Sequence, residues 1–133
     1  MLVFANGCFD LLHAGHRYYL AQARSMGSAL VVGLNSDKSI RRLKGEGRPI
    51  QTERERMRAL LMLEFVGCVQ IFDDDTPLDL VYALRPGVYC CGADHDPEPW
   101  RSVLGEWSGV VVQARELPGV RTTTLLRGIR CAF

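Results

Sequence analysis

The chain lacks any hydrophobic run long enough to cross a membrane. No stretch approaches the roughly 20 apolar residues that a spanning helix needs, so no membrane partner is expected. It also lacks net charge: 16 Lys and Arg stand against 15 Asp and Glu, leaving +1. There is therefore no global basic field of the kind that nucleic-acid binding uses, and no nucleic-acid partner is expected. No CxxC pair occurs among Cys8, Cys68, Cys90, Cys91 and Cys131, and their number, five, is odd. Reduced thiols in a cytoplasm are the expectation. No charged segment precedes the first apolar run, so no signal peptide is expected. Repeats, low-complexity tracts and linkers are absent too. The 133 residues are expected to form one domain, residues 1–133, large enough for a real core.

What is present is an alternation of strand-like and helical runs. The strand-like runs are Leu2–Ala5, Ala29–Leu34, Cys68–Phe72, Gly87–Cys91 and Val110–Gln113. Between them lie helical segments at Arg17–Arg24, around Lys38–Arg41, from Glu53 to Phe65, from Pro77 onward and from Pro97 to Trp107, with a last one over Leu125–Arg130. Thr52 with Glu55 three residues on makes a capping box, and Pro77 suits a first helical position. The third helix is expected to bury Met57, Leu60 and Leu61. Residues 41–50 read as a basic, flexible loop. Alternation of this kind predicts a parallel sheet with helices on its faces.

The richest stretch is Gly7-Cys8-Phe9-Asp10-Leu11-Leu12-His13-Ala14-Gly15-His16. It sits between the first strand and the first helix. His13 and His16 are three residues apart and so share a helix side. Unpaired N–H groups and the helix dipole at that end favour an anion, and Gly15 lets a phosphate approach the main chain. The physical reading is a polyphosphate seat. Two plainer readings stand beside it: a pair of capping or core histidines, or a metal pair with Asp10 as third ligand. No fourth ligand stands at a familiar spacing, so no metal site is assigned.

Gly7-Cys8-Phe9-Asp10 followed by His13-Ala14-Gly15-His16 resembles the HxGH signature of the cytidylyltransferase-like nucleotidyltransferases. The likeness covers nearly the whole chain and is closest to the D-glycero-β-D-manno-heptose 1-phosphate adenylyltransferase branch. It implies a single-domain, Rossmann-like α/β fold: a doubly wound sheet of about five parallel strands with helices on both faces. It implies that His13 and His16 hold the nucleotide phosphates and stabilise charge at the reacting phosphorus, with Gly7, Cys8, Phe9, Asp10 and Gly15 around the nucleotide. Arg42-Leu43-Lys44-Gly45-Glu46-Gly47-Arg48-Pro49-Ile50 is similar to the loop that covers the phosphates. Lys44 there would neutralise transition-state charge, and Arg48 would face the substrate. Arg56 matches a family arginine facing the site. Asp75-Thr76-Pro77 matches a segment near the acceptor, which favours Thr76 as a substrate contact over a metal triad at Asp73–Asp75. Gly92-Ala93-Asp94 resembles a Gly-Gly-Asp near base and ribose, and Arg121-Thr122-Thr123-Thr124 resembles a second signature that seats phosphate.

Three positions depart from the pattern: Ala93 replaces a glycine, Cys91 a lysine of the heptose branch, and Arg121 a serine. The implied reaction is ATP plus heptose 1-phosphate giving ADP-heptose and pyrophosphate, with Mg²⁺ accompanying the triphosphate. The family also suggests a homodimer or larger assembly. The domain often follows a sugar kinase; none is present here, so the expectation is a stand-alone enzyme or an excised domain. Two alternatives remain. One is a cytidylyltransferase acting on glycerol 3-phosphate or a similar alcohol phosphate, and the other is a non-catalytic nucleotide sensor.

Overall fold

Residues 1–118 are described by the computed structural model. Five strands, β1 (Leu2–Gly7), β2 (Ala29–Asn35), β3 (Cys68–Phe72), β4 (Val88–Cys91) and β5 (Val110–Gln113), form one sheet in the order β3-β2-β1-β4-β5. Every pairing is parallel. Five helices join them: α1 (Ala14–Ser25), α2 (Asp37–Lys44), α3 (Glu53–Leu61), α4 (Leu78–Leu84) and α5 (Glu98–Gly105).

Side chains alternate along each strand, so each strand feeds two cores. Val3, Ala5, Leu30, Val32, Leu34, Val88 and Cys90 pack with Leu20 and Ala23 of α1 and Leu60 of α3. On the other face Phe4, Val31, Tyr89, Cys91 and Val111 pack with Val81 of α4 and Leu104 of α5. Helices thus cover both faces, which is why the strands read as continuous apolar runs instead of alternating ones. The expected Rossmann-like architecture is what the chain adopts.

Two local expectations change. First, α3 stops at Leu61, not Phe65. The chain turns there so that Leu63 and Val66 can enter the core. Leu61, expected inside, is left half exposed. Second, Arg41 to Lys44 are helical and not loop. Their cations lie over the helix C-terminus, where the dipole favours them. Gly45, at φ 93°, then caps the helix in a conformation that costs other residues dearly.

Candidate active site

A pocket of about 290 Å³ opens at the carboxyl ends of the strands. Strand order reverses between β1 and β4, which is where open α/β sheets bind ligands. The walls come from the ends of β1 (Asn6, Gly7) and β2 (Asn35), and from the turn and helix that follow β1 (Cys8, Phe9, Gly15, His16, Tyr19). Lys44, Asp75, Gly92 to His95 and Ala114 to Leu117 complete them. Four separate loops therefore deliver polar groups to one place.

The β1–α1 turn is built under strain. Phe9 and Leu11 both have positive φ, 47° and 57°, costing of order 1–3 kcal/mol each. Two features hold the turn. The Phe9 ring is buried against His16 and stacks on Tyr19, with centroids 5.4 and 6.3 Å away. Asp10 is buried and its carboxylate accepts from the Ile50 and Gln51 amides, at 2.7 and 2.9 Å. Asp10 therefore tethers the segment before α3 to the turn.

His13 is the N-cap of α1. Its Nδ1 accepts from the Gly15 amide at 3.0 Å, and His16 Nδ1 accepts from the His13 amide at 3.2 Å. This is a capping box in which both partners are imidazoles. The two rings stack, with centroids 3.8 Å apart. An accepting Nδ1 puts the proton of a neutral ring on Nε2. Burial lowers both pKa values, that of His16 to about 3, with the neighbouring His13 and Lys44 charges adding to the effect. Both rings are neutral near pH 7 and carry their proton on Nε2. The expected seat, a helix N-terminus with two histidines, thus also contains the capping pair of the plainer reading: two main-chain amides are spent on ring nitrogens. His16 lies on the pocket wall, while His13 stacks against it from outside that wall.

Lys44 lines the pocket from the last turn of α2. Its ammonium hydrogen-bonds the Cys8 thiol, although burial still pushes that thiol up. A helix, not a flexible loop, presents this cation. Arg42 on the same helix binds the Asp75 carboxylate at 3.0 Å and the Asp73 carbonyl, fastening the β3–α4 loop beside it. At the end of β5, Gln113 Nε2 donates to the Ala93 and His95 carbonyls, shaping the Gly92–His95 loop. Gln22 and the Arg115 main chain exchange two bonds of 2.9 Å, holding the final wall to α1.

Of the residues singled out from sequence, Gly7, Cys8, Phe9, Gly15, His16, Lys44, Gly92 and Asp94 share this pocket. Arg56 lies elsewhere. It is fully buried and donates to the carbonyls of Gln51, Cys8 and Asn35 and to the Asp37 carboxylate. The substrate-facing role implied by resemblance thus falls on a residue whose guanidinium joins four segments beneath the site. Arg48 lines a second pocket with Asp37, Arg41 and Thr52. Thr76 is exposed off the wall, and its neighbour Asp75 is on it. Thr122, Thr123 and Thr124 lie outside the described residues. Asn6, Asn35 and Arg115 carried no signal in the sequence, since nothing in their spacing marks them, and Asp75, which the Asp75-Thr76-Pro77 match included, takes the wall position expected of Thr76. Among the described residues no group of three or more His, Cys, Asp or Glu could hold a metal ion. No helix among them is long and apolar enough to cross a membrane.

Comparison with known proteins agrees with this fold. The cytidylyltransferase-like family model matches residues 4–128. The bifunctional protein HldE of Pelobacter propionicus is 46% identical over 130 residues, and that of Acidiphilium cryptum 50% over 129. Each alignment covers 96% of this chain but only 27% and 26% of the relative, so the chain spans about a quarter of their length. Among solved structures, the lipopolysaccharide core biosynthesis protein from Thermoplasma volcanium superposes with a TM-score of 0.78 at 26% identity. That match covers 88% of this chain and 98% of the other. The chain belongs to the cytidylyltransferase-like family of nucleotidyltransferases.

Proposed function

We propose that the chain transfers AMP from ATP to a sugar 1-phosphate, D-glycero-β-D-manno-heptose 1-phosphate, releasing pyrophosphate. The observation that carries this reading is the imidazole capping box. It fixes two stacked neutral imidazoles where the sheet's strand order reverses, with His16 and the Lys44 cation on the same pocket wall. The similarity to HldE proteins and the Arg42–Gly45 and Asp75–Pro77 matches support the heptose branch over an alcohol phosphate acceptor.

An oxygen of the sugar phosphate attacks the α-phosphorus, the bond to the β-phosphate oxygen breaks, and pyrophosphate leaves with the electron pair. The attacking phosphate has a second pKa of about 6 and is largely dianionic at pH 7. No general base is required. Catalysis is in-line positioning plus charge neutralisation, with His13, His16 and Lys44 as the catalytic residues. Gly7, Cys8, Phe9, Gly15, Gly92, Asp94 and Thr122–Thr124 surround the nucleotide in this reading, Arg48 and Thr76 serve the acceptor side, and the buried Asp10 and Arg56 hold the segments that carry them. Mg²⁺, held through the substrate phosphates, would offset their charge. The assembly is a homodimer or larger, in the cytoplasm.

Pyrophosphate release measured over a panel of nucleoside triphosphates and sugar phosphates tests the assignment. Turnover confined to ATP with heptose 1-phosphate is the expected result. Turnover confined to CTP with glycerol 3-phosphate would replace it, and binding without turnover would leave a sensor.

A further inference from the structure

Asn6, the penultimate residue of β1, has a side chain that no motif marks and that one partner aims. Alternation along β1 places it in the layer of Phe4, away from α1. In that layer Tyr89 of β4 is held edge-on to Phe4, with centroids 5.2 Å apart, and against Trp100 at 4.8 Å. The Tyr89 hydroxyl donates to Asn6 Oδ1 at 2.6 Å. Burial pushes the phenol up, so it stays a donor. A carboxamide has one acceptor oxygen and two N–H donors. With Oδ1 fixed on Tyr89, the NH₂ group turns away from Tyr89, and Asn6 is on the pocket wall.

The wall divides by origin. Phe9, Gly15, His16 and Tyr19 come from the α1 side, where the ring donors suit the triphosphate. Asn6 belongs to the opposite layer, and Asp75 reaches the wall from the loop between β3 and α4. That half remains for the second substrate, a phosphorylated sugar rich in oxygen acceptors.

We propose that Asn6 is a specificity-determining residue for the acceptor: its NH₂ group, aimed by the Tyr89 hydroxyl, donates to a phosphate or hydroxyl oxygen of the sugar phosphate. Tyr89 is the positioning residue. The inference rests on the nucleotidyltransfer reading above.

The test compares wild type with Asn6→Leu, which keeps the size and removes both donors, and Tyr89→Phe, which leaves the amide but frees its orientation. KM is measured separately for ATP and for heptose 1-phosphate. Asn6→Leu should raise the acceptor KM at least about tenfold and Tyr89→Phe about threefold, with the ATP KM within about twofold. A general loosening of the fold would shift both substrates together. Glucose 1-phosphate, where it is turned over, separates the two oxygen sources: an equal penalty on both sugars indicates the phosphate, and a penalty on the heptose alone a hydroxyl. An unchanged acceptor KM in both variants, or a shift confined to ATP, overturns the inference. Should Asn6→Leu fail to fold, Tyr89→Phe decides alone. Wild type inactive with every acceptor instead overturns the functional assignment.

Discussion

At the residue scale, chemistry was legible wherever residue type and spacing suffice. His13 and His16 announce themselves because two imidazoles three apart at a helix start must meet, and the structure stacks them 3.8 Å apart. Their removal is the sharpest catalytic test. His16→Ala and Lys44→Ala should each cut turnover by about 10²-fold or more, while circular dichroism shows the fold intact. Near-normal turnover in both would end the assignment. Illegible were the residues whose meaning comes from distant partners. Arg56 is an ordinary helical arginine in sequence. Only the folded chain brings it the Cys8 and Asn35 carbonyls, 48 and 21 residues away. Asn6 likewise acquires its orientation from Tyr89, 83 residues on.

Helices and strands were read with uneven sharpness. All five strands stood out because parallel strands buried on both faces need unbroken apolar runs. Helix ends were harder. The Thr52–Glu55 capping box was visible as a local pattern and forms, with both reciprocal bonds present. Thr52→Ala should therefore lower stability by about 1 kcal/mol, measured by urea unfolding, with little effect on KM. The end of α2 was misjudged because Arg41-Arg42-Leu43-Lys44 has the look of a solvated loop. Its helicity depends on tertiary bonds, Arg42 to Asp75 and Ser39 Oγ to the Asp74 carbonyl, that no local pattern encodes. The consequence is functional, since a helical Lys44 is presented with less freedom than a loop lysine.

For the whole molecule, architecture followed from the alternation of runs, but the convergence of four loops on one pocket needed the strand order. The buried histidines also make global stability pH-dependent. In the folded state His16 has its pKa lowered to about 3, whereas unfolded it titrates at the ordinary 6.5. Between those values the unfolded chain binds the proton and the folded chain does not. Stability therefore rises with pH across that window and falls on acidification, by up to about 1.4 kcal/mol per pH unit from this group. His13, shifted the same way, adds to it. Urea midpoints at pH 7.5 and pH 5 should show the loss, and His16→Gln should reduce the difference. One further consequence follows from the reciprocal imidazole cap. Serine is at least as good an ending for a helix as most side chains, so His13→Ser should unfold no earlier than wild type while its turnover collapses. At this corner durability rests on one nitrogen of each ring and rate on the other, and a thermostability screen blind to activity would let dead enzyme pass.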